Sequence, residues 1–260
     1  LRLAISGFGR IGRMTLRALQ EMNRDDMEVV LINSPGPVET SAHLYEFDSV
    51  HGRAGGQISI GEDWMDIGRG KIKMSRERDP AQIPHAAHKI DIVLECSGKF
   101  NSRDQSAAHL TAGAKKVLVS APCKNAEMTV VYGVNHDQLN AGVDIVSNAS
   151  CTTNCLAPVA KVLADTVGIE AGYMTTIHAY TGDQPTLDSS HKDLRRARAA
   201  AMSMIPAGDL CGKLLTGGGL ATPAFVAWSR FSIGAALILP FVPRRAFTLL
   251  GDWRLWLRAG

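Results

Sequence analysis

Two cysteines stand four residues apart in the stretch SNASCTTNCLAP, residues 147–158. A structural zinc site needs about four ligands, and no second Cys or His pair at suitable spacing lies nearby in the sequence. A disulfide is disfavoured if both thiols stand at the start of one helix. Cys151 is therefore either a small space-filling side chain or a nucleophile, whereas Cys155 is expected to be a buried neighbour one helical turn further on.

The sequence around Cys151 predicts a loop that gives way to a helix. At such a position the positive end of the helix dipole favours a thiolate. A thiol nucleophile also needs a base, and His178, in the run TTIHAYTGD, is one candidate among the 8 histidines. The residues alone leave a structural and a catalytic interpretation open for both side chains.

Three glycines, Gly7, Gly9 and Gly12, follow the G-x-G-x-x-G spacing in SGFGRIGR, between a strand-like and a helical run. In that context the glycines allow a tight turn and a close approach of the backbone to a pyrophosphate at the helix N-terminus. The pattern predicts a dinucleotide site, with a plain glycine-rich turn as the alternative.

The second strand-like run, EVVLIN, ends in Asn33 and Ser34 without a carboxylate. A carboxylate there would bind the adenosine ribose and repel a 2′-phosphate. Its absence removes an obstacle to NADP, although a neutral turn with some other ribose contact is an equal alternative.

Short apolar runs that alternate with helical patterns must position these residues. The strand candidates are residues 1–6, 28–33, 90–97, 115–121, 143–148 and 172–181, and the helix candidates are residues 10–22, 106–114 and 153–169. Continuous apolar runs of this length suit strands that are buried on both faces of a parallel sheet. The predicted fold class is α/β, with a Rossmann-type, doubly wound, mainly parallel sheet.

Composition narrows the class of protein. A net charge of +3 over 260 residues, with one short basic cluster at 191–198, argues against nucleic acid as a partner. Five cysteines without regular spacing indicate a reducing compartment, so a cytoplasmic location is expected. The longest apolar stretch is too short for a membrane span, and no secretory leader is recognised. Leu1 already begins a strand-like run, so we expect the start to be clipped by a few residues.

Five segments, taken in order and spacing, closely resemble phosphorylating glyceraldehyde-3-phosphate dehydrogenase over residues 1–206. They are GFGRIGR, HLYEFDSVHGR, RERDP, SNASCTTNCLAP and HKDLRRARAAAMSMIP. The resemblance implies NAD(P)-dependent oxidation of D-glyceraldehyde 3-phosphate to 1,3-bisphosphoglycerate. Cys151 matches the nucleophile that forms a thiohemiacetal and then a thioester, which inorganic phosphate cleaves, and His178 matches its base.

The resemblance also implies binding positions, with NAD or NADP as cofactor and no metal. The cofactor positions are Gly7, Gly9, Arg10, Ile11, Gly12, Ser34, Arg78, Ser120 and Ser190. The substrate and phosphate positions are Ser150, Thr152, Thr181, Asp183 and Arg198. Ser189 and Ser190 replace a Leu-Pro pair of the NAD-specific members and resemble NADP-accepting ones. Ser190 of a neighbouring subunit is therefore a candidate donor to the 2′-phosphate.

The resemblance divides the chain into three segments. Residues 1–149 are expected to form a dinucleotide-binding domain, and residues 150–206 the truncated start of an α+β substrate domain. Residues 207–260 resemble nothing in the family and are interpreted as the product of an altered reading frame. The family forms homotetramers, much of whose interface is not recognisable here. Two alternatives stay open. One is a nucleotide-binding remnant without turnover, and the other is erythrose-4-phosphate dehydrogenase. Thr181 favours the triose enzyme over the latter, because it matches a position that contacts the substrate phosphate.

Overall fold

The computed structural model describes residues 1–172, 174–194 and 196–200. The chain forms two compact units, the first spanning Leu1–Met174 and the second beginning at Thr175. The divergent segment 207–260 lies outside the described residues. The domain boundary at 149/150 stays a prediction.

The first unit carries four α-helices and eleven strands among the described residues. The helices are α1 (Arg10–Glu21), α2 (Val38–Glu46), α3 (Arg103–Thr111) and α4 (Cys151–Thr166). The strands are β1 (Arg2–Ser6), β2 (Glu28–Asn33), β3 (Phe47–Asp48), β4 (Gly52–Arg53), β5 (Ser59–Ile60), β6 (Trp64–Asp66), β7 (Lys71–Ser75), β8 (Ile92–Glu95), β9 (Lys116–Val119), β10 (Met128–Thr129) and β11 (Ile145–Ser147).

One nine-stranded sheet organises this unit, in the order β10-β11-β9-β8-β1-β2-β7-β6-β5. From β7 to β11 every neighbouring pair is parallel. The order β7-β2-β1-β8-β9-β11 is the 3-2-1-4-5-6 order of a Rossmann-type doubly wound sheet, whose ligands bind at the carboxyl edge where the order reverses. The predicted fold class is confirmed, and the order reverses between β1 and β8.

Two apolar cores lie on opposite faces of the sheet because successive side chains of a strand point to opposite faces. Ile5 of β1 packs in one core with Leu16 of α1. Leu31 of β2 packs in the other core, against which Leu110 of α3 lies. This two-sided burial explains why the central strands read as continuous apolar runs.

Helix caps account for the differences between the predicted and observed helix starts. The side chain of Ser102 accepts a hydrogen bond from the Gln105 amide, so α3 begins at Arg103, earlier than predicted. The side chain of Ser150 accepts from the Thr153 amide in the same way, so α4 begins at Cys151 itself. The predicted transition from loop to helix at Cys151 is confirmed.

The predicted strand over residues 172–181 is wrong for the part of it that the structure describes, which is irregular. A strand forms only where a neighbouring strand pairs with its backbone. No described residue supplies such a partner, and the side chain of Ile177 is 99% exposed. An apolar run therefore did not suffice to predict a strand here.

The candidate active site

The glycine-rich turn leads from β1 into α1 at the carboxyl edge of the sheet. Gly7 has φ +89°, and a Cβ built on it would lie 2.5 Å from Cα of Ser97, which follows β8. A Cβ on Gly12 would lie 2.3 Å from the carbonyl oxygen of Gly7. A Cβ on Gly9, in contrast, would meet no atom within 4 Å. Gly7 and Gly12 thus close the turn, whereas Gly9 leaves open the face that a pyrophosphate would approach.

The N-terminus of α1 offers its backbone donors without a side-chain cap. Gly9 is the N-cap residue, makes no capping hydrogen bond through a side chain, and is followed by no acidic residue in the first turn. The guanidinium of Arg10 is paired with the carboxylate of Asp48, which also accepts hydrogen bonds from the amides of Val50 and His51. The positive charge of Arg10 is therefore already balanced, which leaves its backbone as the group available to an anion.

The end of β2 is a neutral turn. The Asn33 side chain donates to the carbonyl of Glu77 and accepts from the Glu77 amide and the Ser75 hydroxyl, each at 2.9 Å. The amide of Ser34 donates to the Ser75 carbonyl at 2.9 Å, and its half-buried hydroxyl bonds to no described residue. Asn33 thus ties the end of β2 to the segment after β7, which places the exposed Arg78 in the loop that continues from this point.

Cys151 stands at the first position of α4, after the short turn of residues 148–150 that follows β11, and its side chain is exposed. Ala149 adopts the left-handed conformation, with φ +57°, and turns the chain between strand and helix. The Asn154 side chain donates to the carbonyls of Asn148 and Ser150 at 2.7 and 2.9 Å, which fixes this turn. Thr152 follows in the first helical turn.

A cleft of about 540 Å³ brings three of the predicted site residues together. Its lining includes Ile11 of α1, Ser120 after β9 and Cys151 of α4. Because the carboxyl ends of parallel strands share one edge, the glycine-rich turn and the cysteine meet there although they are far apart in the sequence. The cleft can therefore admit a ligand that reaches from the glycine-rich turn toward the thiol.

Cys155 differs from the expectation of a buried side chain, because it is exposed. No residue of α4 is buried, so the described part of the chain does not supply the cover that the buried interpretation presumed. The apolar side chains Leu156 and Val159 of the same helix are 42% and 57% exposed.

The second unit holds the remaining predicted residues. His178 is exposed, and its Nδ1 donates to the Ala179 carbonyl oxygen at 2.6 Å. The Thr181 amide donates to the Gln184 side chain at 3.2 Å. Ser190, next to Ser189, is exposed.

Two of the predicted phosphate-binding residues are engaged in ion pairs of the second unit. Asp183 pairs with Arg196, whose hydrogen bond lowers the pKa of that carboxyl group. Arg198 pairs with Asp188 at 3.0 Å. Arg198 would have to leave Asp188 in order to bind a substrate phosphate.

The part of the chain that the structure describes contains no cluster of His, Cys, Asp or Glu side chains suited to a metal ion. Within the same residues, no helix has the length and apolar character needed to cross a bilayer.

The fold and the glycine-rich turn define a dinucleotide-binding protein of the Rossmann type. A family model described as "Glyceraldehyde 3-phosphate dehydrogenase, NAD binding domain" matches residues 1–103. A second, described as "Glyceraldehyde 3-phosphate dehydrogenase, C-terminal domain", matches residues 150–221. The chain belongs to the glyceraldehyde-3-phosphate dehydrogenase family, as the resemblance predicted.

Several curated relatives carry the same description. A glyceraldehyde-3-phosphate dehydrogenase of Xanthobacter flavus is 66% identical over 206 residues, which are 79% of this chain and 62% of that protein. One of Cereibacter sphaeroides is 62% identical over 206 residues, and one of Pseudomonas aeruginosa is 56% identical over 207. The chain thus spans about 62% of the length of the relatives it matches.

Sequence reasoning missed two side chains that build this site and one buried carboxylate near its edge. Asp48, which balances Arg10, and Asn154, which fixes the turn before Cys151, are polar residues at element ends. Glu95 is a carboxylate at the end of an otherwise apolar strand and is only 1% exposed. A charged residue inside a run that predicts a buried strand was a usable signal, because buried charges need partners.

Proposed function

We propose that this chain carries the chemistry of an NAD(P)-dependent, phosphorylating glyceraldehyde-3-phosphate dehydrogenase. The observation that carries the proposal is the position of Cys151, exposed at the N-terminus of α4 and on one cleft with Ile11 and Ser120. A thiol at a helix N-terminus is favoured as the thiolate, which is the nucleophilic form.

The proposed reaction splits the oxidation through a covalent intermediate. The thiolate of Cys151 adds to the aldehyde carbon, and protonation of the oxygen gives a thiohemiacetal. His178 takes the hydroxyl proton as the carbon loses its hydride, which leaves a thioester on Cys151. An oxygen of inorganic phosphate then adds to the thioester carbonyl, and the C–S bond breaks to give the acyl phosphate and the thiolate.

The glycine-rich turn suits the cofactor that this chemistry requires. When bound, a nicotinamide dinucleotide accepts the hydride. The open face at Gly9 and the uncapped start of α1 would hold its pyrophosphate, while Ile11 and Ser120 would line the nicotinamide end. Arg78 and Ser34 would line the adenosine end.

The resemblance assigns the binding of substrate and inorganic phosphate to five residues. Ser150 and Thr152 flank the nucleophile and would bind the phosphate groups with Thr181, Asp183 and Arg198. The amides of the first turn of α4 support this assignment, because a helix N-terminus attracts anions. As in the family, we infer that the reaction takes place in the cytoplasm.

The finer proposal concerns cofactor choice. We infer that the site accepts NADP at least as well as NAD, because the turn after β2 presents the Ser34 hydroxyl and no carboxylate. Ser190 of a neighbouring subunit would add a second donor to the 2′-phosphate. Comparing kcat/KM for the two cofactors tests this, and a strong preference for NAD would contradict it.

A burst experiment tests the activity. The full chain is mixed with D-glyceraldehyde 3-phosphate and NAD⁺ or NADP⁺, without inorganic phosphate, and reduced cofactor is followed by absorbance at 340 nm. The expected result is a burst of about one reduced cofactor per active site and an acyl adduct on Cys151 by mass spectrometry. Cys151→Ser should abolish both, and Cys155→Ser is the matched control. Dinucleotide binding without any burst would contradict the proposed turnover and support a binding-only chain.

A further inference from the structure

A chain of buried hydrogen bonds runs through the first unit beneath the cofactor edge. Nε2 of His85 lies 3.0 Å from Nδ1 of His109, and Nε2 of His109 lies 3.0 Å from Oε2 of Glu95. The three side chains are 0%, 0% and 1% exposed. They come from three elements: the loop before β8, helix α3 and the end of β8. None of them belongs to the proposed reaction machinery.

The donor and acceptor of each hydrogen bond in this network can be assigned, starting from the carboxylate of Glu95. Oε1 of Glu95 accepts hydrogen bonds from both the amide and the hydroxyl of Ser97. With the Glu95 side chain as acceptor at both oxygens, His109 donates from Nε2 to Oε2, and its Nδ1 then accepts from Nε2 of His85. Burial lowers the pKa of His85 to about 4, which keeps this imidazole neutral. The network thus orients one carboxylate with three donors.

The far end of the network is the turn that faces the glycine-rich loop. The Ser97 hydroxyl, which donates to Glu95, also accepts from the Lys99 amide at 3.1 Å. The Cys96 amide donates to the Ser6 carbonyl at 2.7 Å. A Cβ on Gly7 would meet both Cα and N of Ser97 at 2.5 Å. A shift of Ser97 would therefore be passed directly to Gly7.

We propose that Glu95 is a positioning residue for dinucleotide binding: held by His109 and His85, it fixes the turn at Ser97 against Gly7 and so sets the shape of the cofactor loop. The inference rests on the proposed function, since it assigns a role in binding the cofactor of that function. This role would explain why a carboxylate and two imidazoles are buried together in an apolar fold. Unpaired buried charges are strongly unfavourable, so Glu95 needs partners of this kind.

The test measures cofactor affinity and local order separately. Isothermal titration of the full chain with NAD⁺ and NADP⁺ gives Kd, and hydrogen exchange with mass spectrometry gives the protection of the amides of residues 97–99. Glu95→Gln replaces an acceptor oxygen by a donor and should raise Kd about tenfold and increase exchange at these amides. Glu62→Gln, an exposed carboxylate on the hairpin turn, is the matched control.

A second pair of variants keeps the test decisive if Glu95→Gln does not fold. Ser97→Ala removes a half-buried hydroxyl and should also raise Kd, by several-fold, with the unfolding midpoint nearly unchanged. Ser97→Thr keeps the hydroxyl and should restore binding. A purely structural role would move the unfolding midpoint rather than Kd, and would not distinguish Thr from Ala by affinity.

The outcomes separate the two proposals. If the wild-type chain binds dinucleotide and both Glu95→Gln and Ser97→Ala bind it equally well, the positioning role is overturned and the proposed function stands. If the wild-type chain binds neither NAD⁺ nor NADP⁺, the proposed function fails, and the cofactor role of Glu95 fails with it. A raised Kd in Ser97→Ala that Ser97→Thr reverses supports the inference.

Discussion

The carbonyl oxygen of Gly7 occupies the space that a side chain on residue 12 would need, 2.3 Å from the Cβ position of Gly12. Because backbone atoms cannot yield as a flexible side chain can, Gly12→Ala should lower the free energy of unfolding by about 1–3 kcal/mol. Urea unfolding measures the loss.

Gly9→Ala is the informative counterpart of Gly12→Ala. Gly9 has φ −76°, an ordinary conformation, and its Cβ position is open. We expect a stability close to that of the wild type but a Kd for dinucleotide raised at least about tenfold, because the methyl group occupies the approach of the pyrophosphate. Unchanged affinity would show that the pyrophosphate does not approach over Gly9.

The four described cysteines should differ in reactivity toward iodoacetamide. Cys151 and Cys155 are exposed and should be labelled first. Burial raises the pKa of Cys96 to about 11 and also raises that of Cys123, so these thiols should react more slowly, with Cys96 the slowest. Peptide mass spectrometry after timed labelling at pH 8 checks this order. Slow labelling of Cys155 would favour the burial that the sequence suggested.

Ser34→Asp should shift cofactor preference toward NAD. A carboxylate at the end of β2 repels a 2′-phosphate and accepts hydrogen bonds from the ribose hydroxyls. The ratio of Kd for NADP⁺ to Kd for NAD⁺ should rise about tenfold or more. Ser59→Asp adds the same charge at an exposed position of β5 and should leave the ratio unchanged. An equal shift in both variants would mean that net charge, not position, sets the preference.

His85 should make the fold sensitive to acid. Burial, followed by the nearby His109 and His88, lowers the pKa of His85 to about 4 from 6.5. Below pH 6.5 the unfolded chain takes up a proton that the folded chain does not, until the pH reaches about 4. The free energy of unfolding is therefore unaffected by His85 above pH 6.5. Between pH 6.5 and about 4 it falls by up to about 1.4 kcal/mol per pH unit as the pH is lowered.

Replacing His85 by Phe removes this titration while keeping a ring of similar size. Urea unfolding at pH 7, 5.5 and 4.5 should show a shallower loss of stability for His85→Phe than for the wild type. His43→Phe, at an exposed position of α2, should keep the wild-type slope. If His85→Phe kept it too, the acid sensitivity would belong to other groups.

Local signals predicted much of the sheet and the site edge. The apolar runs located β1, β2, β8, β9 and β11, because a strand that is buried on both faces is apolar at nearly every position. The glycine spacing located the turn at Gly7, and the change from small polar to apolar residues located Cys151 at a helix start. Helix α2 and the hairpin before β7 were missed because their alternation is short and their loops are rich in glycine.

Properties that depend on distant partners could not be predicted. Whether Cys155 is buried depends on what covers α4, and whether residues 172–181 form a strand depends on a neighbouring strand. The ion pair of Arg10 with Asp48 and the contact of His109 with Glu95 join residues separated by 38 and 14 positions. The periodicity of a sequence does not indicate which residues form such pairs, although a charged residue in an apolar strand indicates that it has a partner.

The exposed face of α4 also affects how the protein behaves while it folds. The helix that carries Cys151 also presents Leu156, Val159, Val162 and Leu163 to solvent, each between 42% and 61% exposed. Residues 1–174 leave the ribosome before the rest of the chain, and the sheet can form while this apolar surface is still wet. An exposed apolar helix face of this kind can bind other apolar surfaces, so this chain should associate with itself more readily than a chain whose corresponding face is polar.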